Sequence, residues 1–128
     1  MVEHFSKLGE HGAVWLAIGL AGAAADEPRR DEWLRGVKRV ALSYVTNQVI
    51  KVVVRRERPA DARAHTMSNL SFPSAHTTTS FCGARMYRRL GLQLYPLAVA
   101  IAASRLVLRV HHPSDVVAGA ALGTVIAR

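Results

Sequence analysis

Apolar residues gather in four charge-free stretches, 12–25, 40–50, 90–104 and 116–127. Each is shorter than the roughly 18–20 residues of a membrane-spanning helix, so each fits a core helix of a bundle. Cations stand at the ends of the runs: Lys38, Arg39 and Lys51 flank the second, and Arg85, Arg88 and Arg89 precede the third. Long cationic side chains in such places can reach a bilayer's headgroup layer while their stems stay in apolar surroundings. A helix whose polar face lines a catalytic cavity also need not be apolar on every side. The pattern therefore fits a soluble bundle and a membrane-embedded one.

Breaker residues divide the chain into five predicted helices. The first covers about 12–25, after an amphipathic lead-in with Val2, Phe5 and Leu8, and the loop 26–31 containing Pro28 ends it. The second runs over about 32–55 and stops short of Pro59, because the residue before a proline disfavours helix. A polar loop, 58–72, follows. The third starts at Pro73 and Ser74 and ends near Leu90, before Gly91. The fourth spans about 93–110 with Pro96 tolerated in its first turn, and the fifth runs from Pro113 and Ser114 to the end of the chain. Strand signals are weak, since the β-branched run 52–54 continues a helical pattern. The expected fold is an all-α bundle of about five helices forming one domain, 1–128. If the helices alternate in direction, three junctions share one side: the end of helix two, the start of helix three, and the turn between four and five.

Composition narrows the partners without choosing among them. Half of the 128 residues are hydrophobic but only 6% are aromatic, and the apolar content is mainly Ala, Val, Leu and Gly, which favours closely packed helices over a β-sandwich. The 17 Lys and Arg against 9 Asp and Glu leave a net charge of +8, which fits nucleic acid, an anionic membrane surface or a phosphorylated substrate. Aromatic residues do not interleave with the basic ones, and the cations cluster beside histidines, so nucleic acid is disfavoured. Cys82 is the single cysteine, which rules out an intrachain disulfide. The first ten residues are polar and of mixed charge, unlike a signal peptide.

Candidate chemistry lies at the three junctions. Lys51 and Arg58 are seven residues apart, about two helical turns, and share a face if the helix extends that far. Two such cations make a phosphate clamp, or simply a solvated basic helix end. In the second cluster, Phe72-Pro73-Ser74-Ala75-His76, the start of a helix offers backbone N–H groups to an anion, and His76 is placed to protonate a leaving oxygen. An ordinary N-cap with an incidental histidine has the same sequence. The third cluster is Ser104 and Arg105, then His111 and Asp115. The carboxylate four residues on can accept a proton from one imidazole nitrogen and leave the other to attack; a structural bond capping helix five is the alternative.

Taken together and in order, Lys51 with Arg58-Pro59, Pro73-Ser74 with His76, and Ser104-Arg105 with His111 and Asp115 resemble the three-part signature of the type-2 phosphatidic acid phosphatase family. That family shares its active site with vanadium haloperoxidases. The resemblance implies a phosphatase in which His111 is the nucleophile, Asp115 orients it and His76 is the general acid. It also implies that Lys51, Arg58, Ser74, Arg105 and the Ala75 backbone N–H bind the phosphoryl oxygens, with no metal and no cofactor. Two positions depart from the family's habit. Ala75 stands where Gly is usual, and Arg109 and His112 flank the nucleophile where a small residue and an aromatic are common; these two are read as contacts to lipid headgroups or to a second anionic group.

The resemblance further implies a multi-pass protein of the cell (inner or plasma) membrane with its active site at one face. Arg29, Arg30, Arg35, Lys38, Arg39, Arg85, Arg88 and Arg89 fall on the opposite face. Apart from the candidate phosphate ligands, Lys7, Arg55, Arg56, Arg63 and Arg109 fall on the catalytic one, so the excess of eight over five points to an extracytoplasmic site. The implied substrate is a lipid-linked phosphate monoester, a decaprenyl-linked ribose phosphate of cell-wall arabinan synthesis. Polyprenyl diphosphate and phosphatidylglycerophosphate or phosphatidate are the alternatives, and a non-catalytic basic membrane protein is the reading from another class. Gly119 and Gly123 would permit close helix packing, compatible with a homo-oligomer. The fifth helix is barely long enough to span, which suggests a chain truncated after Arg128.

Overall fold

The computed structural model describes residues 12–57, 60 and 70–128, and within them the predicted helices form: α1 (Ala13–Ala25), α2 (Arg30–Val54), α3 (Ala75–Arg88), α4 (Tyr95–Val107) and α5 (Pro113–Ile126). Their boundaries follow local chemistry. Pro28 opens a 3-10 turn, Glu27–Arg29, and α2 therefore starts at Arg30, two residues earlier than its sequence pattern suggests. Ser74 remains extended and caps α3, so the helix begins at Ala75 rather than at Pro73. The fourth helix stops at Val107, because Leu108 ends it and Arg109 adopts a left-handed conformation (φ 55°) that reverses the chain. Among the described residues, extended pairing is limited to one antiparallel bridge, Glu57 with Leu70.

The central helix is the least expected. α3 packs against α1, α2, α4 and α5, yet none of the four charge-free apolar stretches covers it. It buries Thr77, Thr78, Thr79 and Ser80 in its first half and Cys82, Ala84, Met86 and Tyr87 in its second. Hydroxyls are tolerable in a helix interior because they can return a hydrogen bond to the preceding turn. Thr78 donates to the Ser74 carbonyl at 2.9 Å and Thr79 to that of Ala75 at 3.0 Å. Meanwhile Val45, Val49, Val52, Val99 and Val117 are all more than half exposed on the outer faces of α2, α4 and α5. The apolar stretches thus clothe the bundle as much as they fill it.

Glycine sets the closest approach. A Cβ on Gly119 would lie 2.7 Å from the Ser74 carbonyl oxygen, and one on Gly123 would strike that of Thr78. The pair of small residues in α5 therefore serves the packing of α5 on α3 within this chain. At the other end of the bundle, Tyr87 and Trp33 are in tilted ring contact, 5.5 Å between centroids, and Tyr87 lies against Gly36. Tyr87 donates its hydroxyl to the Trp15 carbonyl at 2.7 Å, and the Trp15 indole N–H reaches Ser80 at 3.0 Å, so α1 is pinned to α3.

Candidate active site

The buried stripe of α2 consists of Trp33, Gly36, Val40, Ser43, Asn47 and Lys51. Steps of three and four keep these residues on one face, and the stripe turns from apolar to polar along its length. Its last member, Lys51, is buried at 4% exposure one turn before the helix ends. Arg55 then takes a left-handed conformation (φ 56°), its N–H capping the Lys51 carbonyl at 2.9 Å, and the chain turns away. The helix therefore ends at Val54. Arg58 itself lies outside the described residues.

The start of α3 is tied to both neighbours. Asn47 donates to the Pro73 carbonyl at 3.1 Å and to the Thr78 hydroxyl at 3.0 Å, anchoring the entry to α3 on α2. Ser74 donates its backbone N–H to the Asp115 carbonyl at 3.0 Å, joining the first turns of α3 and α5. The Ser74 hydroxyl accepts from the Thr77 N–H at 3.4 Å and the Thr77 hydroxyl at 3.0 Å, which leaves its own proton to be donated. Ala75 and His76 occupy the first turn of α3, both half-buried. The N–H groups of that turn and the helix dipole favour an anion there.

The third component forms where α4 gives way to α5. Arg105 is buried in the last turn of α4 at 6% exposure, and the Val110 N–H bonds back to its carbonyl at 3.3 Å. His111, buried at 4%, immediately precedes His112, the N-cap of α5. The fully buried Asp115 combines both roles open to it. Its Oδ2 accepts the His112 N–H at 2.7 Å, capping the helix, and lies 3.5 Å from His111 Nδ1. Among the described residues, Lys51 and Arg105 are buried at this end together with His111 and Asp115. Cations held out of water attract an anion more strongly than exposed ones, and a phosphate dianion suits such a place. Among the described residues, no group of three or more His, Cys, Asp and Glu is placed to hold a metal ion.

Lys51, Ser74, Ala75, His76, Arg105, His111 and Asp115 therefore come from the three predicted junctions at one end of the bundle. The flanking residues settle differently. Arg109 is exposed at the reversal, and the His112 ring approaches the Glu57 carbonyl at 3.1 Å. Two contributors escaped the sequence reading. Asn47 was legible in principle, because Ser43, Asn47 and Lys51 recur every four residues and the first two interrupt an apolar run. Arg56, bonded to Asp115 Oδ1 at 2.9 Å, carried no local signal.

The PAP2 superfamily model matches residues 37–128, which contain every one of these side chains. The chain belongs to the PAP2 superfamily. Among PAP2 proteins, it is 43% identical over 120 residues to the decaprenylphosphoryl-5-phosphoribose phosphatase of Mycolicibacterium smegmatis, covering 89% of this chain and 67% of that one. The Mycobacterium tuberculosis protein of the same name is 42% identical over 127 residues, covering 94% and 72%. The fold is similar to that of a transmembrane PAP2-type phosphatidylglycerolphosphate phosphatase from Bacillus subtilis, with a TM-score of 0.85 at 24% identity over 98% of this chain and 71% of that one.

Proposed function

We propose that this PAP2 protein is a membrane-embedded, metal-independent phosphatase that removes a phosphate monoester from a lipid-linked substrate. The observation that carries the reading is the buried His111–Asp115 pair, joined through the Asp115 carbonyl to Ser74 at the start of α3. His111 Nε2 attacks phosphorus while its Nδ1–H points at the ionised Asp115, which stabilises the positive charge that builds on the imidazole. The P–O ester bond breaks, and His76 protonates the departing alkoxide, leaving a phosphohistidine. Water then attacks this intermediate, giving its proton to His76, and the P–N bond breaks to release phosphate and restore His111. Lys51, Arg58, Ser74, Arg105 and the Ala75 N–H hold the equatorial oxygens, where phosphoryl transfer concentrates charge.

The two relatives above 40% identity support decaprenylphosphoryl-5-phosphoribose as the substrate, converted to decaprenylphosphoryl-ribose. Membrane embedding is supported by the exposed valines on the outer faces of α2, α4 and α5, an apolar surface unusual for a protein facing water. Among the described residues, no helix is both long and apolar enough to cross a membrane by itself. At 13 or 14 residues, α1, α4 and α5 reach only about 20 Å. The bundle is thin, and the cations at its ends lie within snorkelling distance of headgroups. Arg29, Arg30, Arg35, Lys38, Arg39 and the arginines that close α3 favour a cytoplasmic far end, which puts the site outside.

Phosphate release by the detergent-purified protein tests the reading. Decaprenylphosphoryl-5-phosphoribose should be hydrolysed faster than polyprenyl diphosphate, phosphatidate or phosphatidylglycerophosphate, with EDTA without effect. His111→Ala should remove activity by about 10⁴-fold or more. Equal rates for wild type and this variant would refute the mechanism, and preference for phosphatidylglycerophosphate would reassign the substrate.

A further inference from the structure

The phosphatase reading gives Arg56 no role, yet its side chain is held by Asp115, Ser114 and Phe72. Leaving the turn after α2, it reaches across to α5, where Nη1 donates to Asp115 Oδ1 at 2.9 Å and also bonds the Ser114 hydroxyl. Its guanidinium lies over the Phe72 ring, 4.8 Å from the centroid, and its carbonyl accepts the Ser71 N–H at 2.7 Å. A guanidinium stacked on an aromatic keeps its in-plane donors aimed at a carboxylate, which a lysine cannot reproduce.

The two oxygens of Asp115 meet different cationic neighbours. Oδ1 accepts from Arg56, while Oδ2 accepts the His112 N–H and faces His111 Nδ1, and Ser71 is a further hydrogen-bond partner of the carboxylate. We propose that Arg56 is a positioning residue for phosphoryl transfer, acting through Asp115: by holding Oδ1 it aims Oδ2 at His111 and offsets part of the negative field that the imidazole feels. The inference rests on the phosphatase reading. Arg56 reaches the nucleophile through Asp115, the residue that orients it, so its effect belongs on turnover more than on substrate binding.

Removing the cation has a definite sign. Without the Arg56 charge to offset Asp115, the protonated His111 imidazole is favoured, and a protonated imidazole cannot attack phosphorus. The acid limb of the rate profile therefore moves to higher pH in Arg56→Gln. Among the described residues, the other titratable groups at this end, Lys51 on α2, Arg55 and Glu57 after it, His76 on α3, Arg105 on α4, Arg109 in the reversal and His112 at the N-cap of α5, are the same in both proteins. Arg56→Lys keeps the charge and loses the planar fork, so its acid limb stays in place while turnover drops.

The test compares wild type, Arg56→Gln, Arg56→Lys and His111→Ala, each purified in detergent and checked by melting curve, with kcat and KM measured from acidic to neutral pH. Arg56→Gln should lose roughly tenfold in kcat, the low end for an outer partner of a working imidazole. Its KM should stay within about twofold, and its acid limb should rise by roughly one pH unit. An unshifted limb, or a raised KM at unchanged kcat, overturns the proposal. Should Arg56→Gln not fold, Arg56→Lys decides: lowered kcat at constant KM and limb supports the role, and any other split overturns it. An active His111→Ala would instead remove the phosphatase reading itself, whereas an inactive one beside an unshifted Arg56→Gln removes the Arg56 inference alone.

Discussion

The two ends of this bundle are built from the same helices but by opposite means. At the far end, Trp33, Tyr87, Met86 and Leu90 are buried, and glycine makes room for an aromatic ring, as Gly36 does for Tyr87. At the site end, Lys51, Ser74, Arg105, His111 and Asp115 are buried, and glycine makes room for backbone, as Gly119 does at Ser74. One end gains stability from close packing of apolar and aromatic side chains, and the other spends it on charge held in the interior. Substitutions should therefore divide cleanly, those at the site end reducing catalysis beyond any loss of folded protein and those at the far end reducing the folded fraction alone.

The largest expected separation comes from Asp115→Asn. The amide oxygen can still accept the His112 N–H, so capping is partly kept and stability should fall by about 1 kcal/mol. An amide no longer stabilises the positive charge on His111, and it permits the wrong tautomer, so kcat should drop by about 10³- to 10⁴-fold. Phosphate release and thermal melting on the same preparation check both numbers. If activity falls only in step with the folded fraction, the site end is no different from the far end and the contrast fails.

That contrast also explains what could be read from the chain. The helix count was legible because Pro28, Pro73, Gly91 and Pro113 punctuate it, each acting through its own backbone. The junction residues were legible because Ser74 and Asp115 are capping types at helix starts, and His111 stands four residues before the latter. The central place of α3 was hidden, since Thr77, Thr78 and Thr79 look like a surface on any hydropathy pattern. Only tertiary packing shows that their hydroxyls bond back to the helix and that the Val-rich faces of α2 and α5 point outward. Arg56 was hidden for a similar reason: its partner lies 59 positions away. Two adjacent arginines after a helix, Arg55 and Arg56, look alike until one of them is seen to cross the site.

At the far end, Tyr87→Phe should give a smaller effect of the other kind. Its hydroxyl donates to the Trp15 carbonyl at 2.7 Å in a fully buried setting, and losing that bond should cost about 1 kcal/mol. The rate per folded molecule should match wild type. Turnover lowered more than the melting shift accounts for would mean that the aromatic end transmits to the site, and the two ends would not be separable.

The smallest effect should come from the corner between α1 and α2, and pH identifies it. Asp26 closes α1 through its backbone N–H to the Gly22 carbonyl, and its Oδ2 accepts the Trp33 indole N–H at 3.1 Å and the Arg29 guanidinium at 2.7 Å. The Trp33 hydrogen bond, and after it Arg29, hold the Asp26 carboxyl below its ordinary value of 3.8, against a partial desolvation that acts the other way. A carboxyl whose folded value is depressed stabilises the fold above its unfolded value and loses that contribution as pH falls through the folded one. Asp26→Asn should therefore melt slightly below wild type at neutral pH, and the gap should close below about pH 4. Turnover should be unaffected, because the corner lies a full helix away from His111. Melting curves collected from neutral to acidic pH decide it: a gap that persists unchanged into acid would mean that Asp26 acts through shape and not charge.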